Sequence, residues 1–235
     1  MQPLKYIWNM PSSKSLLYFL LLILSLVIFN TTEAQNIRGA LITGLNLTQV
    51  DGDEVFGYHK AGLQVGAAAV IQIDKKWAVS LENIFNQKGA RQKARFVDSL
   101  DGSYRLRFNY LEVPLMLHYT DRERITVGAG LSYGRMVSVQ EYKDSFLVES
   151  TTLLDGPYRT DDWNILADLR FRLYKGLKMN IRYAYSIVPI ATRNVIDSKT
   201  GKPNIRDQYN NVVSVRLMYI FNEKQPVVTE PNKTQ

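Results

Sequence analysis

Apolar residues recur at every second position in eight separate runs of this chain, between residues 37 and 221. In the run 163–173, for example, Trp163 and Ile165 flank Asn164, and the same order continues to the end of the run. Successive side chains of a β-strand point to opposite faces of its sheet, so alternation with period two predicts strands. We place these strands near 37–48, 58–73, 77–90, 104–120, 124–139, 162–174, 177–188 and 208–221.

The connections between the predicted strands alternate strictly between long and short. The long ones are polar and cover roughly 49–57, 91–103, 140–161 and 189–207, whereas the tight ones cover 74–76, 121–123 and 175–176. Short periplasmic turns and longer extracellular loops are typical of bacterial outer-membrane barrels. We therefore predict an all-β fold, an eight-stranded antiparallel up-and-down transmembrane β-barrel over residues 35–221.

The first 34 residues have the pattern of an export signal. Lys14 precedes an apolar run, 16–29, whose 14 residues are fewer than the roughly 20 that a membrane-spanning helix needs. Small residues follow, up to Ala34, at the positions that a signal peptidase recognises. We predict a cleaved signal peptide at 1–34 and a mature chain that begins at Gln35 in the periplasm of a Gram-negative bacterium.

Composition removes several classes of protein. The chain has no cysteine and two histidines, which excludes a disulfide scaffold, a cysteine-ligated zinc site and a thiol nucleophile. Its 29 basic and 22 acidic residues give a net charge of +7, but they are divided between predicted strands and loops, so we expect no nucleic-acid partner. The polar, proline-containing segment 222–235 predicts a flexible periplasmic tail.

Charged residues also occupy polar positions in the middle of the predicted strands. If the apolar face of the sheet meets lipid, these charges lie inside the barrel, and eight strands enclose a space that side chains just fill. Acids and bases would then pair across the lumen, because an unpaired buried charge is costly. The candidates for lumen ion pairs are Glu82, Glu112, Asp168, Arg170, Lys178, Arg182 and Arg216.

Aromatic residues fall near both ends of the predicted strands, as in the interfacial girdles of membrane proteins. Trp77, Tyr119, Tyr174 and Tyr219 lie near the tight turns, and Phe85, Tyr133, Trp163 and Tyr185 lie toward the long loops.

A basic stretch surrounds the second long loop, and it starts at Lys88. On an outer-membrane barrel, the anions within its reach are the phosphates and carboxylates of lipopolysaccharide. We expect outer-membrane lipid and lipopolysaccharide as partners there, with a protein partner at the extracellular loops, especially 140–161. The candidates for headgroup contacts are Arg91, Lys93, Arg95, Arg105 and Arg107.

Four short motifs give the chain a family resemblance. They are Gly44-Leu45-Asn46-Leu47, then Gly57-Tyr58-His59-Lys60-Ala61-Gly62 leading to Gly66, then Gln87-Lys88-Gly89, and Tyr110-Leu111-Glu112-Val113-Pro114-Leu115. In this order and spacing the chain resembles the PorT-like outer-membrane β-barrel family. The resemblance implies a barrel domain in the outer membrane. The name-giving member of that family is linked to protein secretion, and we carry over the barrel domain alone.

Catalysis and metal binding have little support in the sequence. His59 lies near a cluster of acids and could serve a hydrolase at the barrel rim, but a solvated loop residue explains it better. The segment Asp51-Gly52-Asp53 resembles the start of a calcium loop and lacks the later ligands. We expect no enzyme, no catalytic residue, no cofactor and no metal.

Three functions remain open at this point. The first is a barrel with a side-chain-filled lumen, which has a structural or interaction role through its extracellular loops. The second is a narrow pore or transporter for small solutes. The third is a soluble lipocalin-like binder, whose apolar set of side chains would line the interior.

Overall fold

The computed structural model describes residues 37–53, 55, 57–92, 102–121, 124–196 and 203–223. The predicted signal peptide lies outside these residues. Within the described ranges the chain forms ten strands, which are β1 (Ile37–Asp51), β2 (Lys60–Gln72), β3 (Trp77–Gln92), β4 (Tyr104–Asp121), β5 (Ile125–Lys143), β6 (Phe146–Leu147), β7 (Asp161–Tyr174), β8 (Leu177–Ser186), β9 (Ala191–Ile196) and β10 (Pro203–Ile220).

Eight of the strands form a closed ring. Their order is β1-β2-β3-β4-β5-β7-β8-β10, all neighbours are antiparallel, and β10 pairs with β1 from Ala40–Ile220 to Asp51–Tyr209. The predicted eight-stranded antiparallel up-and-down barrel is confirmed. Closure gives every strand of the ring two hydrogen-bonded neighbours, so the ring itself has no free edge.

The two additional strands lie on the long-loop side, where sequence alternation gave no signal. β6 pairs with β5, and β9 pairs with the first part of β10, from Gln208–Ala191 to Pro203–Ile196. As a result β10 begins at Pro203, five residues before the predicted start at 208. The segment 203–208 is mostly polar, because a hairpin that extends beyond the ring has no apolar face to present.

Apolar side chains cover the outside of the ring. Leu45, Leu63 and Leu115 are 62%, 57% and 55% exposed, while Asn46, Ser80 and Arg216 on the inner face are fully buried. An outer surface of this kind requires lipid around it, because water would not tolerate so large an apolar area. The arrangement is the opposite of that required by the lipocalin-like alternative.

Pro114 lies where the pairing of β3 with β4 is irregular. The two strands pair at Leu81–Leu115 and again at Ile84–Glu112, and the ladder is interrupted between them with no change of register. Proline has no backbone N–H to donate, so the interruption follows from its chemistry.

The part of the chain that the structure describes contains no helix that is both long and apolar enough to cross a membrane.

Candidate functional site

The half of the lumen nearer the tight turns holds a compact ion network. Arg182 of β8 donates hydrogen bonds of 2.9 Å to both carboxylate oxygens of Glu82 on β3. It also donates to Asp168 on β7, through Nε at 2.6 Å and Nη2 at 3.0 Å. All three side chains are at most 3% exposed, so the pairs lie in a region of low dielectric, where such contacts are strong and their loss is costly.

Two further arginines complete this lower ion network, which we define as Glu82, Asp168, Arg170, Arg182 and Arg216. Arg216 of β10 lies 3.1 Å from Glu82 and 3.3 Å from Asp168, and its Nε donates to Asn180 at 2.6 Å. Arg170 of β7 lies 3.2 Å from Glu82 and 3.1 Å from Asp168. Three guanidinium groups therefore share two carboxylates, which leaves one positive charge in excess.

Gly44 makes room for this network. It lies on β1 directly opposite Arg216 on β10. A Cβ atom at Gly44 would lie 2.8 Å from Cγ of Arg216 and 2.7 Å from the carbonyl oxygen of Val215, and both distances are shorter than a Cβ atom tolerates. A glycine is therefore needed where the arginine side chain crosses the inner face of β1.

A second network lies nearer the long loops, and we call it the upper ion network. Lys88 of β3 places its Nζ 2.6 Å from Glu112 of β4 and 2.9 Å from Asp162 of β7. Asn164 accepts a hydrogen bond of 3.1 Å from the same ammonium group, and Asn210 donates one of 2.9 Å to Asp162. One ammonium group faces two carboxylates here, so this network carries one negative charge in excess.

An apolar layer separates the two networks. It consists of Met116, Leu166, Ala184 and Val212, all of which are buried. Strand β7 shows the order directly, since Asp162 belongs to the upper network, Leu166 to the apolar layer and Asp168 to the lower network. The lumen is thus filled in alternating polar and apolar layers across its length, as expected for eight strands.

Charged and apolar side chains together close the end of the lumen near the tight turns. Glu223, just after β10, lies 2.8 Å from Lys178 on β8 and 3.2 Å from Arg172 on β7. Apolar side chains that include Ile42, Ile84 and Met218 fill the neighbouring space. Order therefore extends past the predicted barrel boundary at 221, while residues 224–235 of the predicted tail lie outside the described part of the chain.

The loop end is closed by a cap that two loops supply. Tyr158, from the loop before β7, is 5% exposed and packs edge-on against Phe108 with ring centroids 4.8 Å apart. Ile190, from the loop after β8, is fully buried beside them. Backbone hydrogen bonds from Arg159 to Ile190 (2.7 Å) and from Ile190 to Gln208 (2.8 Å) hold the two loops together. The cap covers the upper ion network with apolar side chains.

Polar contacts at the rim fix the cap. Arg193 of β9 donates to the hydroxyl group of Tyr158 and lies 3.4 Å from Glu141 of β5, which also accepts a hydrogen bond of 2.7 Å from Thr151. Burial raises the pKa of Tyr158 to about 12. The Tyr158 phenol is therefore neutral at physiological pH and remains able to donate.

The seven candidates for lumen ion pairs all lie in charged contacts inside the barrel. The lower network contains five of them, Glu82, Asp168, Arg170, Arg182 and Arg216. Glu112 belongs to the upper network, and Lys178 belongs to the closure around Glu223 at the turn end. Sequence reasoning missed Asp162, whose place on the polar face of 162–174 was a usable signal. It also missed Glu141, Arg193 and Tyr158, because contacts between loops leave no periodic pattern.

The candidates for headgroup contacts are divided. Arg91, Arg105 and Arg107 lie on outward-facing positions at the loop ends of β3 and β4, where Arg91 is directly opposite Arg105 and the Arg105 guanidinium lies 4.6 Å from the ring centroid of Tyr142. Lys93 and Arg95 lie outside the described residues. Lys88, at the start of the same basic stretch, is fully buried in the lumen, because it is one of the inward positions of β3.

Neither histidine is part of an assembled reaction centre in the described residues. His59 is exposed on the loop before β2. His118 is buried and its Nε2 lies 2.8 Å from the hydroxyl oxygen of Ser80, inside the filled lumen. In the described ranges no three His, Asp or Glu side chains come together as a metal site, and this includes the Asp51-Gly52-Asp53 segment.

Comparison with known structures finds small membrane barrels. The crystal structure of Ail, the attachment invasion locus protein of Yersinia pestis, is 15% identical and has a TM-score of 0.45, with 78% of this chain and 98% of that chain covered. Neisserial surface protein A is 8% identical, with a TM-score of 0.45 and coverages of 79% and 97%. The outer membrane protein OprG of Pseudomonas aeruginosa is 18% identical, with a TM-score of 0.38 and coverages of 79% and 94%.

Because these TM-scores lie below 0.5, the assignment of a family depends on the sequence alone. A comparison with curated protein sequences returns no match. The model of the family described as "Outer membrane protein beta-barrel domain" matches residues 34–192, about two thirds of the chain and the larger part of the ring. The chain therefore belongs to the outer membrane protein beta-barrel domain family, and it is a barrel of the Gram-negative outer membrane.

Proposed function

We propose that this barrel is closed to solutes and that it has a structural or interaction role through its extracellular loops. The proposal rests on one observation, which is that side chains fill the lumen along its length. Along its length, the loop cap, the upper ion network, the apolar layer, the lower ion network and the closure around Glu223 follow one another. A solute would have to displace several buried ion pairs at once, and each would leave an uncompensated charge.

Planar-bilayer recording tests this proposal against the narrow pore. We expect the wild-type barrel to show no steady openings, because side chains of the described residues fill each of these layers of its lumen. A variant in which Glu82, Arg182 and Arg216 are all replaced by serine serves as the control, since emptying the lower network shows whether the assay detects a water path. Steady, ion-selective openings of the wild-type barrel would overturn the closed-barrel proposal.

The outward arginines supply contacts with lipopolysaccharide. In outer-membrane barrels the long loops are extracellular, which places Arg91 and Arg105 at the level of the outer headgroups. They line an open cleft of about 340 Å³ together with Tyr104 and Tyr142. Guanidinium groups bind phosphate with paired hydrogen bonds, and the stacked tyrosine ring holds Arg105 in place.

Matched charge removal at the two ends tests this contact. Replacing Arg91, Lys93 and Arg95 by glutamine should weaken binding of lipopolysaccharide to the purified barrel. Replacing Lys75, Lys76 and Arg124 by glutamine removes the same charge from the tight-turn end and should leave binding unchanged. Equal binding by both triple variants would show that the headgroup contact does not exist.

A protein partner would contact the loop between β5 and β7. There Phe146 and Leu154 lie beyond the ring, and their side chains are 78% and 93% exposed. Large apolar side chains that project into water favour an interaction surface. Crosslinking from a photoreactive residue at position 154 in intact cells, with position 74 at the tight-turn end as the control, should give a product specific to position 154. The same products at both positions would contradict the proposal.

We assign no enzymatic activity to the barrel, because His59 is exposed at the rim with no acid or nucleophile hydrogen-bonded to its ring among the described residues, and the Ser80–His118 pair is enclosed in the lumen. Screening the pure protein against ester and peptide substrates should give no turnover. Turnover that is lost in a His59→Ala variant would overturn this assignment.

We propose that the chain belongs to the PorT-like branch of this family, and the four motifs of the resemblance support this assignment. Its motifs supply glycines that the barrel needs, such as Gly44 beneath Arg216 and Gly89, whose φ of +135° few other residues adopt. A sequence profile built from PorT-like members should match all four motifs in order. A match only to the general barrel pattern would contradict the narrower assignment.

A further inference from the structure

The outer surface of β5 and β7 changes character stepwise toward the loop end. Three cross-strand pairs follow one another on this surface, Leu131–Ile165, Tyr133–Trp163 and Arg135–Asp161. The first pair is apolar and more than half exposed to the surroundings of the barrel. The second is aromatic and the third is charged, so the ladder reproduces the order of acyl chain, interface and headgroup in one leaflet.

Hydrogen bonds connect the aromatic pair to the charged pair. The ring centroids of Tyr133 and Trp163 lie 5.0 Å apart. The hydroxyl group of Tyr133 donates to Asp161 at 2.6 Å, and the Arg135 guanidinium donates to the same carboxylate oxygen at 2.7 Å. Asp161 therefore positions Arg135 above the two rings.

A second guanidinium group, that of Arg159, gives this surface a net positive charge. Arg159 precedes β7, and its backbone is fixed by the 2.7 Å hydrogen bond to Ile190. Within the described part of the chain its guanidinium group has no hydrogen bond or ion pair of its own. Two arginines and one carboxylate leave this surface with one positive charge in excess, which favours an anion.

These residues surround an open cleft of about 500 Å³. Its walls are Tyr133, Arg135, Arg159, Asp161, Trp163 and Val188. The cleft opens directly above the apolar pair Leu131–Ile165, so an amphiphile could place its head in the cleft and a chain on the strands below.

We propose that this cleft binds the phosphorylated headgroup of a lipid of the outer leaflet. Arg159 and Arg135 bind the phosphate, the rings of Trp163 and Tyr133 stack on the sugar or glycerol part, and an acyl chain follows Leu131 and Ile165. This site is separate from the cleft of Arg91 and Arg105, and it depends on the barrel's location in the outer membrane but not on the contacts proposed there.

Trp163 offers a local readout of binding. The sequence contains three tryptophans, at positions 8, 77 and 163, and position 8 lies in the predicted signal peptide. In the mature Trp77→Phe variant, all tryptophan fluorescence therefore comes from the cleft. Titration of this variant in detergent micelles with a bis-phosphorylated lipid A should give a saturable change in emission, which the dephosphorylated lipid gives only weakly.

Charge variants in the same background decide the proposal. We expect Arg159→Gln and Arg135→Gln each to weaken binding about tenfold, the loss of one charge-assisted contact, whereas Arg124→Gln at the tight-turn end has no effect. Arg159→Gln keeps the backbone hydrogen bond to Ile190, so this variant still tests lipid binding if Arg135→Gln fails to fold.

Three results would overturn the proposal. They are equal binding of the phosphorylated and dephosphorylated lipids, unchanged binding by Arg159→Gln, and a saturable response to inorganic phosphate alone, which would make the cleft a site for a free anion. Because Trp163 reports on this cleft only, failure here is distinguishable from failure of the lipopolysaccharide contact at Arg91 and Arg105.

Discussion

Arg182 and Glu82 lie 100 positions apart in the chain and face each other across the lumen, joined by two hydrogen bonds of 2.9 Å. Each belongs to a strand that has no backbone pairing with the other, so the contact exists only in the closed ring. The same guanidinium group also binds Asp168, which makes Arg182 the centre of the lower ion network.

Removal of one carboxylate from that network should destabilise the barrel strongly. In Glu82→Gln three guanidinium groups would share Asp168 alone, so we expect the free energy of unfolding to fall by about 3–5 kcal/mol. Urea titration of the barrel in lipid vesicles, followed by heat-modifiable migration on a gel, measures the change. Glu149→Gln, on an exposed loop, is the control and should stay within about 0.5 kcal/mol of wild type. A loss of similar size in both variants would contradict the network.

The upper network should show coupling between its members. We expect the double variant Lys88→Met/Asp162→Asn to lose less stability than the two single variants together, by roughly 1–3 kcal/mol, since each single change leaves a buried partner unpaired. The same cycle on Arg135 and Asp161, whose side chains are both about half exposed, should give much weaker coupling. Additive effects at Lys88 and Asp162 would show that their contact contributes nothing to stability.

Loosening the loop cap should not open the filled lumen beneath it. Tyr158→Ala removes the ring that packs on Phe108 and frees the loop before β7, so cleavage of that loop by added protease should accelerate. Tyr158→Phe keeps the ring and should show a smaller effect. Bilayer conductance should remain low in both variants, because the upper network still blocks the lumen. Openings in Tyr158→Ala would show that the cap alone closes the barrel.

The tyrosine of the cap also predicts a response to alkaline pH. A free phenol titrates near pH 10, whereas burial raises the pKa of Tyr158 to about 12. The folded cap thus keeps a proton that the unfolded chain has lost, and its stability falls as pH rises from about 10 to about 12. Protease cleavage of the loop should increase over this range in wild type and change less in Tyr158→Phe. An identical pH profile in the two proteins would contradict the assignment.

The turn-end closure depends on Glu223. Glu223→Gln leaves Arg172 and Lys178 without their carboxylate, and we expect a loss of roughly 1–3 kcal/mol in unfolding free energy. The temperature at which the band shifts on a gel should fall with it. Asn222→Gly is the matched control, since the φ of Asn222 is +52° and glycine adopts that conformation readily. Unchanged stability in Glu223→Gln would mean that the segment after β10 is not needed for closure.

The sequence by itself predicted the eight strands of the ring, their order and, at most positions, the face to which a residue points. Alternation is a local property, so Trp163 was assigned outward and Arg182 inward from their neighbours alone. The alternating lengths of the connections then gave the direction of every strand. The same reasoning failed for β9, because a polar hairpin has no apolar period. It also failed for Lys88, which lay within the predicted strand 77–90 but was grouped with the basic residues around the second long loop.

Only the tertiary structure decided which charges meet. Closure of β1 on β10 brings residues from β3, β7, β8 and β10 around one axis, and it joins Arg216 to Glu82 over 134 positions. It also sets Tyr158 over the lumen and places Arg159 beside Trp163. Such contacts depend on the radius and stagger of the ring, which no short stretch of sequence records, whereas the period of two is imposed on every strand by its own backbone.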